Sequence, residues 1–174
     1  MEPGKIILLM IVLLVSGITD LLRKKVYNIV TFPGIIMGLL LGLYYNGPYG
    51  LLDSGLGFIL ASFIFLALYI WAGFGAGDVK LMMAVGSIVG MKLIFDFILY
   101  SAIMGGVMAV IVMIRNRVFL PSMKNVLRFF LFLIPKMRLV PEPLTPGDSF
   151  TVPYAYAISM GSLLCLWVSH IQIK

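Results

Sequence analysis

The chain has 174 residues, 61% hydrophobic and only 11% charged, with a mean hydropathy of +1.10. A soluble domain of this size would be left with too little polar surface, so a soluble globular fold is excluded and a polytopic membrane protein is expected. The net charge of +6 does not call for nucleic acid, because membrane proteins gather basic residues on their cytoplasmic side and against anionic lipid. One cysteine, Cys165, and one histidine, His170, exclude an internal disulfide and a multi-cysteine zinc site. No cofactor and no metal are expected.

At about 20 apolar residues per crossing, the length accommodates about six spans and leaves no room for a separate soluble domain. The apolar runs are continuous, which argues against a β-barrel. The fold class expected is all-α, a polytopic integral membrane protein in which residues 1–174 form a single transmembrane domain. Ile6–Thr19 has the length of a signal-peptide core, but Glu2 offsets Lys5 and no A-x-A-like site follows. The run ends instead in Asp20 and the basic cluster Arg23-Lys24-Lys25, a stop-transfer boundary. Span 1 is therefore placed at about 5–22 and span 2 at about 29–45, with Pro33 near its start. A tyrosine-bearing turn over Tyr44–Gly50 precedes span 3, at about 51–71.

Trp71–Met83 breaks the pattern. Gly73, Gly75 and Gly77 are followed at once by Asp78, which implies irregular backbone between two helices. Span 4 covers about 79–90, where the spacing of Gly86 and Gly90 permits close helix contact. Span 5 covers about 93–114 and span 6 about 153–169. Between the last two lies a long polar connection, about 115–152. Within it Met123, Val126, Leu127, Phe130, Leu131 and Ile134 recur at helical spacing, which predicts an amphipathic helix lying in the cytoplasmic interface.

Charge sets the orientation. With the N-terminus outside, ten lysines and arginines fall on the cytoplasmic side and Lys5, Lys92 and Lys174 fall outside, in line with the positive-inside bias. Asp20 and Asp78, 58 residues apart, then reach the same cytoplasmic edge. An ionisable residue within or beside a membrane span is a functional candidate, although a lone acid at a span boundary is ordinarily a cap or an interface residue. Two carboxylates at one water-accessible face can share a water: one acts as general base, and the other, protonated, hydrogen-bonds a carbonyl. The helix dipole at the start of span 4 favours Asp78 as the base and leaves Asp20 as the acid. Asp53 and Asp96 read as structural; Asp96 follows Lys92 by four residues, a spacing that allows a helical ion pair. Glu142 and Asp148 read as solvated. The twelve methionines read as packing.

Gly75-Ala-Gly-Asp78 matches the GxGD motif of membrane aspartyl proteases, and Gly77–Met82 resembles its continuation in type IV prepilin peptidases and archaeal preflagellin peptidases. Asp20 with its basic turn resembles the first aspartate of that family. Asn28 is kept, but Tyr27 stands where the family has proline. Val152-Pro153-Tyr154-Ala155 resembles the start of the last span. The resemblance implies an aspartic endopeptidase that removes the short basic leader of prepilin-like or preflagellin-like proteins at the cytoplasmic face of the inner membrane. Asp20 and Asp78 would be catalytic, and Gly75, Gly77, Lys80, Asn28, Pro153 and Tyr154 would bind substrate or shape the site. No CxxC motif is present, so no N-methylating domain is expected. Since such leaders are basic, the basic inner surface points to lipid contact. Two other readings of the residues stand beside this one: a presenilin-like protease cutting within membrane spans, and a small transporter or assembly subunit relaying protons through the same aspartates.

Overall fold

The computed structural model describes residues 1–72, 74–115 and 154–172, and every regular element among them is an α-helix. In chain order these are α1 (Pro3–Arg23), α2 (Asn28–Ala72), α3 (Ala76–Val89), α4 (Met91–Arg115) and α5 (Tyr154–Gln172). The chain groups into two compact units, Met1–Gly105 with Pro153–Lys174, and Gly106–Val152. The expected interfacial helix at 123–134 and most of the 115–152 connection lie outside the described residues.

Helix α1 begins with Pro3, whose fixed φ suits a first turn. It ends where Lys24 turns left-handed at φ 51°, with its N–H bonded to Asp20 O at 2.8 Å. Its buried residues Leu9, Val12, Leu13, Ser16, Gly17 and Asp20 recur every three or four positions, which makes a single stripe down one face. The opposite face is also apolar and is exposed: Ile7, Ile11, Leu14, Ile18 and Leu22. A helix with its polar residues turned inward and its apolar residues outward is built for lipid.

Helix α2 is assigned as one element of 45 residues, but it is not straight. Gly47 takes φ 60° and ψ −149°, a backbone conformation open in practice only to glycine, and Pro48 follows it. The chain reverses here. A Cβ added to Gly42 would lie 2.6 Å from the carbonyl oxygen of Gly50, whereas residues eight apart on a continuous helix are separated by about 12 Å. Gly38 in the first arm and Gly57 in the second both pack on α3, so the two arms form an antiparallel hairpin along it.

Helix α3 is the centre of the first unit. From Val79 to Val89 all residues but Lys80 and Met83 are buried, enclosed by α1, α2 and α5. Hydrophobic burial does not drive helix association in hydrocarbon, so close packing must do so. The α2–α3 contact supplies it: Gly57 lies directly on the backbone of Gly86 and Gly90, as the small-residue spacing implies. Helices α4 and α5 meet in the same way, with Gly161 against the backbone of Tyr100 and Ser101.

Among the described residues three helices are long and apolar enough to cross a membrane: α1, α2 and α4. Helix α3, at 14 residues, spans about 21 Å, less than the roughly 30 Å of a hydrocarbon core. The apolar part of α5, Tyr154–Val168, is also shorter. Lys92 and Asp96 make no ion pair among the described residues. Both are exposed on α4, where water competes and a four-residue spacing permits a pair without compelling one.

Candidate active site

Asp20 is the last member of the buried stripe of α1 and is 7% exposed; Asp78, in the first turn of α3, is 8% exposed. The two carboxylates lie within electrostatic reach of each other.

Asp78 is positioned by its own neighbours. Helix α2 stops at Ala72, Phe74 and Gly75 are non-helical, and α3 starts at Ala76 with Gly75 extended at φ −69°, ψ 138°. The irregular stretch expected before Asp78 is thus present. Gly75 N–H donates to Asp78 Oδ2 at 3.2 Å, and Asp78 N–H donates back to Gly75 O at 3.0 Å, a capping arrangement at the N-terminus of α3. A Cβ on Gly75 would sit 2.9 Å from Asp78 Oδ2. Gly77 answers to a different neighbour: a Cβ there would meet Val26 Cβ and Cγ2 at 3.1 and 3.2 Å. Gly77 therefore lets the turn after α1 pack on the start of α3.

Asp20 is positioned from far along the chain. Its Oδ2 accepts the backbone N–H of Tyr156 at 3.1 Å, 136 residues away, and the Ala155 amide is also directed at it. These N–H groups belong to the first turn of α5, which has no intrahelical acceptors for them. The approach is close because Gly17, one turn before Asp20, lies against Ser159 of α5. Asp20 is therefore a cap in trans for α5, while Asp78 caps its own helix. Both carboxylates face the positive end of a helix dipole, but Asp20 also lies in the last turn of α1, at the negative end of its own helix.

Around the pair, Lys80 Nζ donates to Asn28 Oδ1 at 2.9 Å and ties α3 to the first residue of α2. Arg23 Nη1 donates to the hydroxyl of Tyr27 at 3.0 Å, so the residue that replaces proline closes the basic turn. The ring of Tyr154 meets Phe74 edge-on, with centroids 4.3 Å apart. Its phenolic end rests on Gly105, and it lies within electrostatic reach of Asp78. Of the expected site-shaping residues, Gly75 and Tyr154 are thus tied to Asp78, Gly77 packs on Val26, Lys80 and Asn28 bond each other, and Pro153 lies outside the described residues. Phe74, Gly105 and the Tyr156 amide were not anticipated, and Tyr27 was marked only as the residue in the place of the family's proline. Phe74 lies inside the glycine stretch, but the others leave no pattern that separates them from packing residues. No group of three or more His, Cys, Asp and Glu side chains is gathered among the described residues.

These features define a class: a helical membrane protein with two buried carboxylates within electrostatic reach of each other. Residues 7–110 match the type IV leader peptidase family. The match covers more than half of the chain and includes both aspartates, and the chain belongs to that family of peptidases. No curated protein matches the chain. No solved structure matches it.

Proposed function

We propose that the chain is a membrane aspartic endopeptidase that removes the basic leader from type IV prepilin-like or preflagellin-like proteins, with Asp20 and Asp78 as its catalytic pair. The observation that carries this is the convergence of two buried carboxylates, from helices far apart in sequence, inside the segment that matches the family. Each carboxylate has about four lone-pair sites, so a bond to one backbone N–H leaves acceptor capacity for a shared water and for a proton.

Hydrolysis needs one member of the pair ionised and the other protonated. The ionised carboxylate takes a proton from water as the water oxygen bonds to the scissile carbonyl carbon. The protonated one donates to the carbonyl oxygen, forming a neutral gem-diol. The C–N bond then breaks as the nitrogen takes the proton held by the pair and one diol hydroxyl returns a proton to the other carboxylate, releasing a carboxylic acid and an amine and restoring the singly protonated pair. Which aspartate starts as base is left open.

In this reading the helices form six crossings, with the two arms of α2 as separate spans and the bilayer thinned around the short α3 and α5, the N-terminus outside and the aspartates at the cytoplasmic face. The positive-inside bias supports it. The substrate's hydrophobic segment would lie along the exposed apolar helix faces, leaving its leader in water. The leader-peptidase family favours this reading over a presenilin-like protease or a proton relay.

The test is cleavage of a prepilin-like substrate by purified protein in detergent, beside Asp20→Asn and Asp78→Asn. Loss of cleavage in both variants, with unchanged folding, is the expected result. Cleavage that persists in either variant removes the aspartate pair from the mechanism.

A further inference from the structure

The end of α1 away from Asp20 opens on a second polar feature. Lys5 precedes Asp20 by 15 residues on the same helix, about 22 Å along its axis. Here the start of α1, the turn of α2, the end of α3 and the start of α4 line an open cleft of about 630 Å³, within the range of small-molecule sites. Its wall carries Glu2, Lys5, Asn46, Tyr49, Asp53 and Lys92.

The charges on this wall are unusual in two ways. Lys5 is only 6% exposed, and its ammonium has one hydrogen-bond partner among the described residues, the neutral Ser54 Oγ at 3.5 Å. A cation withdrawn from water is costly without a counter-charge. Two carboxylates, Glu2 and Asp53, and a second ammonium, Lys92, line the same cleft, yet none of the four forms an ion pair among the described residues. Both signs of charge are therefore present and spaced apart around one volume.

The depth of the cleft is also marked. Tyr44 and Tyr49 are exposed beside it, and tyrosines at the end of apolar helices mark the headgroup level of a bilayer. Apolar side chains such as Ile7 and Ile11 are exposed further along α1 and continue the surface toward the membrane interior.

We propose that this cleft binds the headgroup of a zwitterionic phospholipid of the ethanolamine type. The phosphate meets Lys5 and Lys92, the primary ammonium meets Asp53 and Glu2, and the acyl chains lie on the exposed apolar faces. An ethanolamine ammonium donates hydrogen bonds to carboxylates, whereas a trimethylated choline ammonium has no N–H to donate. A purely anionic glycerol headgroup leaves both carboxylates without a partner. The site therefore discriminates by headgroup, with ethanolamine above choline and glycerol.

Delipidated full-length protein in detergent is titrated by native mass spectrometry with phosphatidylethanolamine, phosphatidylcholine, phosphatidylglycerol and the water-soluble glycerophosphoethanolamine. The expected result is one phosphatidylethanolamine per chain, bound about tenfold or more tighter than the choline lipid, the scale of one charge-assisted hydrogen bond. Asp53→Asn should erase the preference for ethanolamine over choline. Lys5→Met should weaken all three lipids by a similar factor, and Lys92→Gln, a change at an exposed position, should do the same and keeps the test open if the first variant fails to fold. Equal affinity for the three lipids, or binding unmoved by both Asp53→Asn and Lys92→Gln, overturns the proposal. Glycerophosphoethanolamine binding as tightly as the lipid overturns the lipid assignment and leaves a soluble phosphate ester as the ligand.

Discussion

The two aspartates sit in similar surroundings for different reasons. At the start of α3, Asp78 is held by Gly75, three residues away. At the end of α1, Asp20 is held by an amide 136 residues away, on α5. The first geometry exists once a short segment takes its shape. The second exists only when the last helix has docked against the first. Asp78 is thus a local construction and Asp20 a tertiary one, and the site should respond differently when each is disturbed.

The largest effects come from the carboxylates themselves, where that difference should vanish. Asp20→Asn and Asp78→Asn each remove an acid–base group, and each should lower the single-turnover cleavage rate by about 10²–10⁴-fold. If one variant retained most activity, the pair would reduce to a single catalytic group beside a structural cap.

The comparison is sharper at the amide that holds Asp20. Tyr156→Pro deletes the donor N–H in the first turn of α5, where proline is best tolerated in a helix, while Tyr156→Ala keeps the donor and loses the ring. A hydrogen bond to a charged group contributes about 1.5–3 kcal/mol, so the proline variant should lose about 10–150-fold in kcat. The alanine variant should lose far less. Equal losses in the two would show that the side chain of Tyr156, and not its amide, supports the site.

The same local and tertiary division explains what could be read from the residues alone. The break before Asp78 was legible because glycines and an acid within a few positions dictate it. The reversal of α2 was legible for the same reason, since Gly47-Pro48 is a local signal. Asp20 could be picked out only through its basic turn. Its partner could not be foreseen, because a backbone N–H has no signature in sequence and the contact depends on Gly17 meeting Ser159 across the bundle. The burial of Lys5 was equally hidden, being set by how four helix ends converge. Lys92 and Asp96 show the converse: a spacing that allows a contact, on a face where nothing enforces it.

Two neighbouring glycines divide the roles further. Gly75→Ala places a methyl 2.9 Å from Asp78 Oδ2 and must displace the carboxylate. Gly77→Ala places one 3.1 Å from Val26 and must shift the turn that follows Asp20. The first should lower cleavage several-fold, about 1 kcal/mol, with little change in thermal midpoint. The second should lower the midpoint and the amount of folded protein, a packing penalty of about 1–3 kcal/mol. Measuring activity and thermal unfolding on both variants separates the effects. Matching profiles would mean that the two glycines do one job.

The smallest expected effect lies at Lys80, whose bond to Asn28 joins the α3 side of the site to the α1–α2 turn. The bond is exposed, so water can replace either partner, and its net contribution should be about 0.5–1.5 kcal/mol at most. Lys80→Met should therefore leave the fold intact and lower cleavage by no more than about tenfold. Asn28→Ala should do the same, and because the two residues share one bond, the double variant should be no worse than the poorer single one. Additive losses would show that each side chain acts separately, with Lys80 reaching toward substrate, and the tie between the two halves of the site would then rest on Gly77 and Val26 alone.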